Sequence, residues 1–230
     1  MASFPIFIFL AIAPLFALTD RATDTSSIWE KMEWVLLALI ISFTAAHAFD
    51  SSFLVSSMFY AIGFTLAFTA HVWVRQTLGN RAGKITVIIF WLAMEYVVLK
   101  LRPGPSTFLA DSLRLQPDWL RWNIHTGYLG ATLWILITNL MVYEAILSEK
   151  PFQWYWIVST LIFLLGPLSY SYSLDNAPIE RSAMASLYEG NSGMKDVTYL
   201  ARGEFVVRTA AWLSTLIILF TFVKSQTTSR

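Results

Sequence analysis

IHTGYLGATLWILITNLMVYEAI, residues Ile124 to Ile146, decides the fold class. The run contains one carboxylate, Glu144, and neither Lys nor Arg. A helix needs about 20 apolar residues to cross the hydrocarbon of a bilayer, and this run supplies them. Working outward, comparable runs lie at about 4–19, 33–49, 53–74, 85–101, 152–172 and 205–223. In lipid a helix satisfies its own backbone hydrogen bonds. The expected fold is therefore all-α: a polytopic membrane bundle of about seven transmembrane helices. The first run holds Pro5 and Pro14, so a tilted or broken helix is expected there.

The composition agrees. Apolar residues make up 56% of the 230 and charged residues only 13%, against about 25% in soluble domains, which is too little charge to cover a water-facing surface. The net charge of +1 provides no field for nucleic acid or an acidic substrate. Seventeen Phe, ten Trp and nine Tyr suit lipid-facing rings and interfacial belts. The chain has no Cys, which excludes disulfides, thiolate metal sites and thiol nucleophiles. The opening MASFPIF lacks a basic n-region, so a cleaved signal peptide is not expected.

Neither a linker nor an internal repeat divides residues 1–230, which are expected to form a single transmembrane domain. Arg75, Arg81 and Lys84 share one short loop, which argues for a cytoplasmic loop by the positive-inside rule. Seven spans then place the N-terminus in the periplasm, and Lys150 and the C-terminus, with Lys224 and Arg230, in the cytoplasm. Lys100, Arg102, Arg114 and Arg121 fall outside and oppose that bias. The periplasmic segments would be about 102–123 and 173–204. The first reads PGPSTFLADSLRLQPDWLRWN over Pro103–Asn123. Its Phe108, Leu109, Leu113 and Leu115 are interleaved with Asp111, Arg114 and Gln116, and Trp119 and Trp122 flank Arg121. This is expected to be an amphipathic interfacial segment. It is either a surface anchor or the wall of a site open to lipid, with Trp119, Arg121, Trp122 and His125 as the lipid- or partner-binding residues.

Ionisable residues within spans are costly and usually face the bundle interior. Glu95 and Arg208, at comparable depths by a rise of about 1.5 Å per residue, are expected either to neutralise each other or to stand apart. In the second case Arg208 snorkels to the headgroups and Glu95 is neutral or bonded to a hydroxyl. Asn139 and Glu144 are read as interhelical hydrogen-bond groups, so Glu95, Arg208 and Asn139 are structural intramembrane polar residues. His47, His71 and His125 lie on separate helices without metal-ligand spacing and are read as packing or interface residues; neither a metal nor a cofactor is expected. Gly63/Ala67 and Gly127/Ala131 have the spacing that permits close helix contact. GxSxG, HExxH and GxxxxGK[ST] are absent. Asp175, Glu180, Arg181, Glu189, Lys195 and Asp196, in the run from about Ser173 to Gly203, are read as solvating a polar loop.

FWLAMEYVVLKL (Phe90–Leu101) followed by PDWLRWNIHTGYLGATLWILITNL (Pro117–Leu140) resembles the membrane domain of apolipoprotein N-acyltransferases. The likeness rests on Trp91 and Glu95, then on Thr126, Gly127, Leu129, Gly130, Leu133, Trp134 and Asn139. FPIFIFLAIAPLFALTDR resembles the family's second membrane helix, which implies that its first is missing. TYLARGEFVVRTAAWLSTLIILFTFVK, with Gly203, Glu204 and Arg208, resembles its return into the last helix. The family carries a nitrilase-like domain between its last two membrane helices, with a Glu, a Lys and an acylated Cys. Here roughly thirty residues occupy that place, too few for a domain of about 100 or more, and there is no Cys. No catalytic residue carries over. The resemblance implies a non-catalytic bacterial inner-membrane protein, an accessory subunit that binds other membrane subunits or the acyl chains of phospholipid or lipoprotein, and no nucleic acid. The rivals are a membrane-embedded acyltransferase-like enzyme using Glu95, His125 or the outer loop, and a transporter or channel.

Overall fold

The computed structural model describes residues 5–23, 28–46, 54–79, 84–101, 108–113, 116–126, 129–148, 153–174 and 197–228. Every regular element among them is helical. A 3-10 turn (Pro5–Phe7) leads into α1 (Ile8–Ala11) and α2 (Ala13–Thr23). Then come α3 (Ile28–Ala46), α4 (Leu54–Leu78) and α5 (Ile85–Leu101). Two 3-10 turns, Leu109–Leu113 and Pro117–Leu120, precede α6 (Asn123–Thr126) and α7 (Gly130–Val142), which runs on into a π-helical turn, Tyr143–Leu147. The chain ends in α8 (Trp154–Ser173) and α9 (Val197–Thr228).

Among the described residues four stretches are long and apolar enough to cross a membrane: Ser57–Leu78, Gly130–Leu147, Trp154–Ser173 and Val206–Thr227. Pro5–Asp20 and Met32–Thr44 are shorter apolar helices. The outward residues of α8, among them Trp154, Leu161, Ile162 and Leu165, are exposed. So many large apolar side chains on one helix exceed what a water-soluble monomer usually presents and suit a helix surrounded by hydrocarbon.

By their contacts the residues form two compact units. The first comprises Met1–Pro14 and Ser106–Val206, the second Leu15–Pro105 and Val207–Arg230.

In the first unit α1, α7, α8 and the two 3-10 turns close around Phe9, Ala110, Leu113, Leu120, Ala131, Trp134 and Ile135. The first apolar run breaks at Ile12, between α1 and α2. Pro14 is the cause, since its missing N–H and its ring against the carbonyl four residues back prevent a continuous helix. The break exposes backbone groups that need partners, and Asn139 of α7 supplies them. Its Oδ1 accepts from the N–H of Ile12 (2.8 Å) and of Ala13 (3.1 Å), and its Nδ2 donates to the carbonyls of Ile8 (2.9 Å) and Ile135 (2.8 Å). A side chain from another helix thus acts as the cap.

A second repair lies in α8. Pro167 sits inside the helix and cannot donate to the carbonyl of Phe163. The indole N–H of Trp134 donates to that carbonyl instead, at 2.9 Å. Neighbouring side chains commonly satisfy the groups that an intrahelical proline frees.

In the second unit α4 packs against α3 and α5, and aromatic rings form the seam. Phe43 stacks on Phe64 at 5.6 Å, Phe64 on Trp91 at 4.2 Å, and Phe68 meets Trp91 edge-on at 5.9 Å. Gly63 lets α4 and α5 approach: a Cβ there would lie 3.1 Å from the Sδ of Met94 and collide with its methyl group. Gly79 (φ 80°) ends α4, its N–H returning to the carbonyl of Arg75 at 2.8 Å, the left-handed stop that glycine adopts without strain. Asp20 of α2 pairs with Arg75 of α4 and, at 2.9 Å, with Lys84, which precedes α5.

Candidate functional site

The segment singled out by its tryptophans folds as a shelf on the first unit. The 3-10 turns place Leu113 and Leu120 in the core, so the apolar half of the segment packs inward against α7. Asp111 accepts from the N–H of Phe108 at 2.9 Å, closing the first turn, and the N–H of Ala110 donates to Thr132 Oγ1 at 3.3 Å. Pro117 begins the second turn, where its missing donor costs nothing.

Ser171, near the end of α8, pins the shelf from the other side. Its hydroxyl donates to the carbonyl of Trp119 at 2.9 Å and lies 3.3 Å from the N–H of Trp122, which donates to it. The Trp122 ring stands edge-on to Trp134 at 5.8 Å, and Phe9 meets Trp134 at 4.5 Å. Gly130 makes room for the Thr126 side chain, with the Trp122 ring in ordinary contact beside it. A Cβ there would sit 2.7 Å from the Cβ of Thr126 and 3.6 Å from Cζ3 of Trp122. Arg121 reaches back to Asp118 at 2.9 Å.

Two polar groups on the shelf stand apart. Among the described residues, the indole N–H of Trp122 and both amide atoms of Asn123 are buried and have no hydrogen-bond partner. Asn123 is only 8% exposed. A buried polar group without a partner costs about 1–3 kcal/mol, and few occur in native proteins.

The structure therefore places Trp119 in the second 3-10 turn and Arg121 and Trp122 in the turn that leads from it into α6. His125 belongs to α6, but its side chain lies outside the described residues, as do His47, Gly127 and the run 175–196 with its charged side chains. Asn123 was missed by the sequence reading. The signal available was its position, the residue directly between Trp122 and the apolar run.

The other expected polar residues occupy different environments. Asn139 joins α1, α2 and α7 as described. Glu95 is fully buried, one helical turn after Trp91, whose indole N–H donates to its Oε1 at 3.3 Å. Arg208 is exposed on α9. Val207 and Ala210 are the buried positions of that turn, and the 3.6-residue period turns Arg208 away from them. The ion pairs among the described residues join Asp20 to Arg75 and Lys84, and Asp118 to Arg121; Glu95 and Arg208 are not joined. His71 is buried and shares a hydrogen bond of 2.5 Å with Thr86 of α5, so it packs as a bonded core residue. Among the described residues, no group of three His, Asp or Glu side chains is placed to hold a metal ion.

Comparison with protein-family models, with curated proteins and with solved structures gives no match.

Proposed function

We propose that this chain is a non-catalytic membrane protein built on the plan of the apolipoprotein N-acyltransferase membrane domain, without the nitrilase-like module. It acts as an accessory subunit of a larger assembly in a bacterial inner membrane. Seven spans would carry the N-terminus to the periplasm and the C-terminus to the cytoplasm. The working surface is the shelf of Trp119, Arg121, Trp122 and His125, which binds a partner protein, a lipoprotein or a lipid.

The observation that supports this reading is the pair of unpartnered groups on the shelf, the Trp122 N–H and the Asn123 amide. Asn139 of the same unit, by contrast, is used up in packing with four hydrogen bonds. Polar capacity left over at a helix-connecting segment is a feature of recognition surfaces, where a few placed polar groups fix a ligand's orientation.

The test is a photo-crosslinker, p-benzoylphenylalanine, placed at Trp119 in native membranes, followed by purification in mild detergent. A control carries it at Trp212, exposed on α9. The expected result is a discrete product, protein or retained lipid, from position 119 only. A bare chain whose products at 119 match those at 212 overturns the reading.

A further inference from the structure

The three unpartnered atoms on the shelf differ in kind, and that difference selects a ligand. A carboxamide presents donors and an acceptor, and an indole N–H only donates. Asn123 therefore lacks both an acceptor for its Nδ2 and a donor for its Oδ1, while Trp122 lacks an acceptor. A diacylglycerol ester offers carbonyl oxygens alone and would leave Asn123 Oδ1 buried without a donor. In an extended peptide the N–H and C=O of one residue lie along the same edge, as they do when strands pair. One carboxamide can take both, and the indole N–H can take the next carbonyl. Main-chain hydrogen bonds of this sort supply affinity when extended peptides dock on proteins.

We propose that the shelf receives an extended peptide segment, recognised through its backbone by Asn123 and Trp122. This deepens the reading above and rests on it. The atoms concerned are buried, so such a segment reaches them only when the short turns of the shelf part locally from α7 and α8. Neutral–neutral pairing also suits a buried position, since no charge has to leave water.

The experiment uses the full chain in maltoside micelles and two amphiphiles that partition alike. The glycinamide used is N-lauroylglycine N,N-dimethylamide, whose one N–H is backbone-like; the N,N-dimethylamide of N-lauroylsarcosine has a methyl in its place and no N–H. Affinity is read by calorimetric titration and stability by thermal unfolding. The expected result is roughly tenfold tighter binding of the glycinamide, the effect of one well-made hydrogen bond in a buried site. Asn123→Leu erases that preference and leaves the ligand-free protein as stable as before or more so. Trp122→Phe weakens both amphiphiles by a few-fold and keeps the preference.

Equal affinity for the two amphiphiles overturns the peptide assignment while leaving the shelf a binding surface. So does tighter binding of the matched ester, O-lauroyl glycolic acid N,N-dimethylamide, which has no N–H and would make the occupant a lipid. A loss of ligand-free stability in Asn123→Leu also overturns it, because the amide would then have a structural partner. If no amphiphile binds and position 119 yields no discrete crosslink, the reading of the shelf as a recognition surface fails with it.

Discussion

Two asparagines in the first unit show how the same side chain can lock a fold or leave capacity for binding. Asn139, in the middle of α7, is fully buried and makes four hydrogen bonds to α1, α2 and its own helix. Asn123, at the start of α6, is 8% exposed and makes none. Burial alone would rank them together. Their partners separate them: Asn139 faces backbone groups that Pro14 has freed, whereas among the described residues neither amide atom of Asn123 has a hydrogen-bond partner. A buried amide stabilises a structure only when its neighbours lack what it offers.

The largest effect that could break this comparison is at Asn139. Asn139→Leu removes the partner of the Ala13 N–H and of the Ile8 carbonyl and one of two acceptors of the Ile12 N–H, so it should destabilise by about 3 kcal/mol, read by denaturant-induced unfolding in micelles. A loss below about 1 kcal/mol would mean that the break in the first helix is capped by something else. Gly130→Ala should cost about 2 kcal/mol, because the new methyl meets Thr126 and overpacking of this kind costs about 1–3 kcal/mol. Adding Thr126→Gly should recover most of it, and failure to recover would relocate the strain.

Trp134→Phe tests the repair at Pro167. It should cost about 1 kcal/mol for the lost indole donor. Combined with Pro167→Ala, which restores a main-chain donor to the Phe163 carbonyl, the loss should shrink; strict additivity in the double mutant would show that the two are uncoupled. The smallest effect, and one of opposite sign, is expected at Asn123. Asn123→Leu removes polar atoms that have no partner and should raise the unfolding midpoint or leave it unchanged, by at most about 1 kcal/mol. Thermal unfolding of Asn123→Leu beside Asn139→Leu sets the two residues on one scale.

Much of the frame could be read in advance. The apolar runs marked α3, α4, α5, α7, α8 and α9 as helices, although among the described residues the stretches long and apolar enough to cross a membrane are those in α4, α7 with its π-helical turn, α8 and α9; Pro14 marked the break because proline cannot continue a helix. Asn139 was legible as an interhelical bonding group for the same reason: a carboxamide amid apolar residues must find partners. The partners were not legible, since Ile8, Ile12 and Ala13 lie far from Asn139 along the chain. Nor was the separation of Glu95 from Arg208, because depth along a helix follows from counting residues but the direction a side chain faces depends on which neighbours surround it. Asn123 carried no sign of its own; only the absence of a partner in three dimensions distinguishes it from an ordinary polar residue between a tryptophan and a helix.

The chain by itself determined that its segments are helical and apolar, because hydrophobic length and proline chemistry are local properties. Tertiary structure alone decided which polar groups are consumed and which are left over. Hydrogen-bond satisfaction is a relation between residues distant in sequence, and it takes a value only once the helices have packed.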